Sequence, residues 1–320
     1  MNFRSKLRKF CHKYKVLARN YDKLTWYKSR LVTAFISDSD FAIKNYQEKT
    51  GKMLNLEHPQ TYDEKLWYLK IHNRDPLLTI CSDKYRVREY VKQFGLGHIL
   101  NELYGVYDDA RDIDFSIFVE PVFLKCNHTS GDNIIYDPNK PFDRYDFTKR
   151  FDFLLKQNYY VKSREWNYKN IKPKIIAEKV LRNDNGQLPL DYKFLCFGGE
   201  PKLLYLSVNS CTEQGKHNSV GRYLNTYDMD FNLTDIDEGF AILNDGSIKK
   251  PYNFEKMKEY AAILSKPFAH CRVDFYNIDG KIYFGELTFY DSGGCNNIQP
   301  HEWDLKIGSW IDISNIKAER

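Results

Sequence analysis

Apolar and polar residues alternate most clearly near the end of the chain, in residues 271–288. Two runs rich in aromatic and aliphatic residues flank Asp279 and Gly280, a dipeptide that readily closes a tight hairpin. Asp274 and Glu286 lie on opposite arms of this predicted hairpin, nearly equidistant from the turn. Because neighbouring carboxylates repel each other unless a cation lies between them, the pair predicts a Mg²⁺ site. Two solvated strand carboxylates are the alternative.

Further strands are predicted upstream of this hairpin. An apolar strand over residues 121–125 ends in Lys125 and leads into a loop of small and polar residues at 126–132. The backbone amides of such a loop are suited to holding phosphate. An ordinary strand-to-strand turn is the alternative interpretation. The other predicted strands are residues 174–181, 191–197 and 202–208.

Helices are predicted before and between these strands. Neither proline nor glycine occurs before Gly51, which favours helix up to about residue 50. Thr61 and Glu64 form a capping box for a helix that ends near residues 73–76. The remaining predicted elements are helices at residues 83–93 and 254–266, a hinge at 183–187 and a long loop or lid at 209–250.

Composition indicates a folded protein and excludes several classes. The chain has 320 residues, of which 42% are hydrophobic and 16% aromatic, enough for one large or two moderate domains. It shows no apolar run of membrane-spanning length and no signal peptide, so we expect a cytoplasmic protein. Seven cysteines without a CxxC pair, and eight histidines without ligand spacing, argue against disulfides and zinc.

Positive charge is concentrated at the start of the chain. Ten of the lysines and arginines occur between Arg4 and Arg30, against one acid, while the net charge of the whole chain is +5. The remainder is therefore slightly acidic, which argues against nucleic-acid binding. The arm also has apolar residues three or four positions apart, typical of a helix on an anionic membrane surface. These residues are Phe3, Leu7, Phe10, Tyr14, Leu17 and Tyr21.

We therefore predict peripheral contact of residues 1–30 with the inner face of a membrane. The alternative is a helix packed on the body of the protein with its lysines in solvent.

The order of these features resembles the ATP-grasp superfamily. A strand lysine, a small-residue loop, a Glu-Lys-Val-Leu segment, an acid-x-Lys strand and a late Asp…Glu hairpin follow one another. Within the superfamily, the chain resembles the TupA-like group, named for teichuronopeptide biosynthesis. The resemblance covers roughly residues 50–312. Its blocks are residues 59–66, 82–84, 124–128, 164–166 and 285–289.

The resemblance implies an α/β (α+β) ATP-grasp fold, in which two α+β lobes hold ATP between them after a helical N-terminal region. It implies four segments. These are a basic arm at 1–50, a helical and connecting region at 51–120, a first lobe at 121–182 and a second lobe with the metal-site hairpin at 183–320.

The resemblance also implies which residues bind ATP. Lys125 would contact the α- and β-phosphates, and Lys84 would be the earlier nucleotide lysine, although an ordinary exposed lysine is its alternative. In the loop, which has only one glycine, we expect His128, Ser130 and Gly131 to contribute. Glu178, Lys179, Val180 and Leu181 would hold adenine, Asp191 the ribose and Lys193 phosphate. A cross-strand ion pair is the alternative for Asp191 and Lys193.

The same resemblance places Mg²⁺ on Asp274 and Glu286. Many ATP-grasp enzymes have Asn where this chain has Thr288, so Asp291 or Asn296 would have to complete a second metal site. Arg272, with Lys193, would stabilise an acyl phosphate as a catalytic residue, and a structural Arg–Asp pair is the alternative.

These roles imply a carboxylate–amine ligase that forms an amide through an acyl phosphate. The group's name suggests a uronic acid or peptide unit of a cell-surface polysaccharide as substrate, with Arg164 and Trp166 as substrate contacts or, alternatively, part of a capped helix end. A glycosyltransferase using a nucleotide sugar and a non-catalytic scaffold are the rival functions.

Overall fold

The computed structural model describes residues 7, 10, 11, 14–131, 133–212, 215, 218 and 221–316. Within them the chain forms two antiparallel sheets with helices around them, so the predicted α+β class is confirmed. The helices are α1 Lys15–Ala34, α2 Asp38–Thr50, α3 Tyr62–His72, α4 Pro76–Ser82, α5 Val87–Gln93, α6 Arg144–Leu154, α7 Tyr160–Ser163, α8 Phe254–Ser265 and α9 His301–Ser309.

The first sheet has four strands in the order β1-β4-β2-β3. They are β1 Leu103–Tyr107, β2 Val122–Cys126, β3 Ile134–Tyr136 and β4 Ile175–Lys179. Burial alternates along β2, because Val122 and Leu124 pack with α6 residues such as Phe151 on one face. Lys125 consequently lies on the other face, the same face as Glu178 of the neighbouring strand.

The second sheet has five strands in the order β7-β6-β5-β8-β9. They are β5 Asp191–Phe197, β6 Glu200–Val208, β7 Tyr223–Tyr227, β8 His270–Ile278 and β9 Lys281–Thr288. One face is apolar and packs on α8, where the rings of Phe194 and Phe254 are 5.6 Å apart. The opposite face carries Lys193 and Asp274, which are directly paired across β5 and β8.

A β-bulge gives the predicted hairpin its register. Tyr276 pairs with Tyr283 near the turn, but Asp274 pairs with Glu286 because the register shifts by one residue between them. Gly285 is the extra residue, and a Cβ there would come within 3.0 Å of the Asp274 carbonyl oxygen. The bulge thus brings the two carboxylates opposite each other, which the sequence spacing only approximates.

The N-terminal helices are attached to the body rather than extended from it. On α1, Trp26 is buried with its ring 6.2 Å from that of Phe153, and Arg19 pairs with Asp146 at 3.3 Å. After a break, α2 ends at Gly51, as predicted, where a φ of 73° favours glycine. The predicted Phe3 lies outside the described residues.

Other helix and strand predictions differ in detail. The capping box of Thr61 and Glu64 starts α3, as predicted, and α8 matches its predicted range closely. The predicted helix at 83–93 is shorter, because α5 begins at Val87, and α4 was not predicted at all. The predicted loop at 209–250 contains strand β7. The segment boundaries after residues 50, 120 and 182 stay a prediction.

Candidate active site

The candidate site is centred on a buried ion network on the open face of the second sheet. Asp274 accepts hydrogen bonds from Lys193 Nζ at 3.0 Å and from Arg272 Nε and Nη2, each at 2.7 Å. Arg272 also pairs with Asp291, and lies 3.5 Å from Glu286 Oε1. The predicted structural Arg–Asp pair therefore exists, and it holds the guanidinium between three carboxylates.

Four cations converge on the carboxylate of Glu286. Burial alone would raise its pKa, but Lys84, Arg272, Lys193 and Lys125 lower the pKa to about 2. The Nζ of Lys84 lies 3.6 Å from Oε2 of Glu286. These cations come from the α4–α5 connection, from β2 of the first sheet and from β5 and β8 of the second. Together they line a cleft between both sheets, whose field strongly favours anions.

Asp274 and Glu286 form a donor pair suited to Mg²⁺. Mg²⁺ is usually bound by one or two carboxylates together with substrate phosphates and water. Among the described residues, no group of three or more His, Cys, Asp or Glu is placed to hold a metal. Thr288 instead contacts Arg272 at 3.1 Å, and Asn296 is bonded to Asp63. The donor set therefore fits an ion shared with phosphates and does not fit a cage built by protein alone.

On the first sheet, Lys125 and Glu178 form a close pair. The distance from Lys125 Nζ to Glu178 Oε2 is 2.7 Å, and Arg88 approaches the other oxygen at 3.5 Å. Both side chains are mostly buried on the cleft face. The pair fixes the ammonium of Lys125 in the place that the resemblance gives to a phosphate contact, and the adenine role of Glu178 stays a prediction.

The strand that would hold adenine continues as an extended segment. The N–H of Lys179 donates to Glu102 at 3.0 Å, and its carbonyl accepts from Asn101 at 2.8 Å. These backbone groups are therefore already engaged. Val180 and Leu181 follow β4 without regular structure and are half-buried, which leaves them as the better placed of the predicted adenine contacts.

The predicted phosphate loop is fastened to the cleft by Lys84, whose Nζ donates to the carbonyl of Thr129 at 2.9 Å. His128 points into the core, where its Nε2 lies 3.1 Å from the Leu154 carbonyl and burial lowers its pKa. Ser130 is exposed and Gly131 has a φ of 78°. Their phosphate roles stay predictions, and the contacts of His128 favour packing. Asp132 lies outside the described residues.

Asp191 closes the ion network at the start of β5. It lies 3.3 Å from Lys193 Nζ and accepts a hydrogen bond from Ser210 at 2.7 Å. The predicted cross-strand pairing of Lys193 is present through Asp274. Burial by itself would lower the pKa of Lys193, but the charges of Asp191 and Asp274 leave that pKa raised. Lys193 is therefore charged across the whole ordinary pH range.

Lys193→Met should destabilise the protein by about 3–5 kcal/mol, because it leaves two carboxylates buried without their shared cation. Adding Asp191→Asn to this variant should recover part of the loss. Urea denaturation of the wild type, both single variants and the double variant measures the coupling. Strictly additive losses would show that the pair contributes nothing to stability.

The predicted substrate residues lie away from the ion network. Arg164 is buried and donates to the carbonyl oxygens of Thr33 and Ile36 at 2.9 and 2.8 Å, and it pairs with Asp38 at 3.3 Å. Its contacts attach α1 and α2 to the body, which favours a structural role. Trp166 is half-buried, with the Arg74 guanidinium 5.6 Å from its ring. The substrate roles stay predictions.

Several polar residues near the cleft carried no sequence signal. Lys70 is fully buried in α3 and donates to the Gly293 carbonyl at 2.8 Å. Burial raises the pKa of its neighbour Glu165 to about 7 and lowers that of Lys70 to about 8. Asp83 accepts from the side chain of Asn127 at 2.9 Å, tying α4 to the end of β2. These residues resemble ordinary surface positions in the sequence, because their burial depends on distant segments.

The fold and this cleft define an ATP-grasp ligase, and the comparison with known families agrees. The family model described as TupA-like ATPgrasp matches residues 64–312, which is most of the chain. The chain therefore belongs to the TupA-like ATP-grasp family. The predicted family, the ATP-grasp fold and the predicted class of enzyme are confirmed. None of the curated proteins matches the chain.

Solved ATP-grasp ligases resemble the chain distantly. A D-alanine–D-alanine ligase from Bacillus anthracis has 14% identity and a TM-score of 0.41, covering 73% of this chain and 68% of its own. An L-amino acid ligase from Bacillus licheniformis has 13% identity and a TM-score of 0.40, covering 68% and 44%. The Helicobacter pylori D-alanine–D-alanine ligase has 14% and 0.40, covering 79% and 67%. Similarity at this level carries no information on substrate.

Proposed function

We propose that the protein is an ATP-dependent carboxylate–amine ligase that activates its carboxylate as an acyl phosphate. The observation that carries this proposal is the convergence of Lys84, Lys125, Lys193 and Arg272 on Glu286. Polyphosphate is the ligand class that needs several fixed cations around an ion-binding carboxylate pair. Catalysis by such a site rests on positioning and on stabilisation of negative charge.

Each side chain has a distinct part in this proposal. Lys84 and Lys125 bind the nucleotide phosphates from the first sheet and the α4–α5 connection. Asp274 and Glu286 hold Mg²⁺, which would neutralise charge on the phosphates. Arg272 and Lys193, fixed by their ion pairs with Asp274, stabilise the phosphoryl group during transfer to the carboxylate. Because these pairs already orient the cations, little reorganisation accompanies the reaction.

For the substrate, we propose a uronic acid or peptide carboxylate of a cell-surface polysaccharide, joined to an amine. The support for this step is the family alone, whose name refers to teichuronopeptide biosynthesis.

Carboxylate-dependent release of ADP tests the proposed function. The protein is incubated with Mg²⁺, ATP and hydroxylamine over a panel of uronic acids, amino acids and short peptides. Hydroxylamine intercepts an acyl phosphate as a coloured hydroxamate and makes knowledge of the natural amine unnecessary. We expect ADP and hydroxamate in equal amounts with at least one carboxylate. Binding of UDP-sugars without binding of ATP would contradict the proposal and favour the glycosyltransferase.

We also propose that α1 contacts an anionic membrane surface. Leu17, Leu24 and Leu31 are seven residues apart and therefore share one face of the helix. Leu24 and Leu31 are 70% and 65% exposed, whereas Trp26, on the opposite face, is buried against the body. Docking of α1 thus leaves an apolar stripe facing outward, extended by Phe35 at 88% exposure. The described residues contain no helix long and apolar enough to cross a membrane.

The charge around this stripe selects the partner. Lys28 and Arg30 are exposed beside it, and ten cations lie between Arg4 and Arg30. An apolar stripe with a basic margin complements an anionic lipid surface, where each cation contributes on the order of 1 kcal/mol. A second copy of this chain would bring the same positive charges together, so it is the less favourable occupant.

Leu24→Ser combined with Leu31→Ser should abolish co-sedimentation with vesicles that contain phosphatidylserine. Both side chains are exposed, so we expect the thermal unfolding midpoint to stay unchanged. Binding of the wild type should fall steeply with added salt. Leu305→Ser, an exposed position on α9, is the matched control. Equal sedimentation of all proteins, or a salt-independent dimer of the wild type, would contradict membrane contact.

A further inference from the structure

A carboxylate outside the ion network lies close to it. Glu238 belongs to the segment between β7 and α8, which the sequence predicts only as a loop. The preceding residue, Asp237, exchanges two backbone hydrogen bonds with Gln299, at 2.8 and 2.9 Å. Ile236 is buried in the core of the second sheet. The backbone around Glu238 is therefore held in a defined position.

Tyr205 brings a phenol to the same place. Strand pairing puts Tyr205 directly opposite Lys193, so its side chain lies on the open face of the sheet beside the ion network. The ring is only 2% exposed, and its hydroxyl lies beside the Glu238 carboxylate. Neither this hydroxyl nor Oε1 of Glu238 completes a hydrogen bond of good geometry within the described residues, although both atoms are buried.

Buried polar atoms without partners are rare and usually mark a place that a ligand or ion completes. Burial raises the pKa of Glu238 to about 8, and the nearby carboxylates of Asp291 and Asp63 act in the same direction, while Arg272 opposes them. Tyr205 is the other titratable group that faces Glu238. Since Arg272 is also paired with Asp291 and Asp274, this corner has more acceptors than cations.

We infer that Glu238 and Tyr205 form the site for the amine substrate, where Glu238 receives a proton from the substrate ammonium group. This inference rests on the proposed ligase function. An ammonium group has three donors and a positive charge, the complement of two unpartnered oxygen atoms in an acidic corner. Arg272 links this corner to Asp274, so the bound amine lies next to the place where the acyl phosphate forms.

Amide formation at this site conserves atoms, protons and electrons. The ammonium gives one proton to the Glu238 carboxylate and becomes a neutral amine, whose lone pair attacks the carbonyl carbon of the acyl phosphate. A C–N bond forms and the C–O bond to phosphate breaks, so that phosphate leaves with the bonding pair. The second amine proton leaves with phosphate, and Glu238 returns its proton to solvent.

A comparison of two nucleophiles tests the role of Glu238. Methylamine is charged at neutral pH and needs a base, whereas hydroxylamine is neutral and does not. With a carboxylate accepted by the wild type, Glu238→Gln should lower the ratio of the methylamine rate to the hydroxylamine rate by about a hundredfold. Glu259→Gln, an exposed carboxylate on α8, should leave the ratio unchanged. An unchanged ratio in Glu238→Gln would overturn the inference.

A binding measurement separates this inference from the ligase proposal. Methylammonium chloride should raise the unfolding temperature of the wild type more than tetramethylammonium chloride, which cannot donate hydrogen bonds. This difference should disappear in Glu238→Gln and shrink in Tyr205→Phe. Equal effects of both salts on the wild type would overturn the ammonium site. Failure of the ligase proposal instead shows as absence of carboxylate-dependent ADP with either nucleophile.

Discussion

Glu286→Gln is expected to lower turnover by about a hundredfold or more while the protein stays folded. The substitution removes an ionic ligand from the only carboxylate pair that the described residues place across the hairpin, and metal ions contribute several kcal/mol to phosphoryl transfer. The Glu286 side chain is 39% exposed, so its amide remains partly solvated. Steady-state ADP release at increasing Mg²⁺ measures the effect, and high Mg²⁺ should restore part of the rate.

Glu255→Gln is the matched control, because this carboxylate lies on the surface of α8 and pairs only with lysines there. The pKa of Glu286 supplies a second readout. Since the folded pKa of about 2 lies below the ordinary 4.5, its ionisation stabilises the fold above pH 4.5 and this contribution is lost as the pH falls towards 2. The stability difference between wild type and Glu286→Gln should vanish over that window. Activity within a few-fold of wild type would remove Glu286 from the metal site.

Lys125→Met should weaken ATP binding by about tenfold to hundredfold, because a charge-assisted contact to phosphate contributes roughly 1.5–3 kcal/mol. The fold should survive, since Arg88 still neutralises Glu178 in the variant. Calorimetric titration of Mg-ATP measures the dissociation constant directly. Lys140→Met, an exposed lysine of the first lobe, should bind ATP as the wild type does. An unchanged affinity in Lys125→Met would place Lys125 outside the nucleotide site.

Local pattern was sufficient to predict the metal-site hairpin. The alternation around Asp279 and Gly280 determines which residues share a face, and the structure has the two strands where the pattern predicts them. The pairing of Asp274 with Glu286 depends also on the bulge at Gly285. A glycine within a strand is a signal for such a bulge, so the register was available from the sequence in principle.

Contacts between distant segments could not be predicted in this way. Arg164 has the composition of a ligand contact, yet its guanidinium binds carbonyl groups more than one hundred positions earlier in the chain. Tyr205 appears in the sequence as an ordinary core aromatic of a strand, and Glu238 as a polar loop residue. Their meeting depends on the pairing of Asp237 with Gln299, for which no local pattern exists.

The transfer of oxygen from carboxylate to phosphate tests the central claim most directly. The protein is incubated with Mg-ATP, hydroxylamine and a pool of uronic acids and amino acids whose carboxylates carry oxygen-18, and the released phosphate is analysed by mass spectrometry. An acyl phosphate intermediate passes one labelled oxygen to each phosphate, so we expect singly labelled phosphate from the wild type. Phosphate released in step with hydroxamate but without label would contradict activation of the carboxylate by ATP at this site.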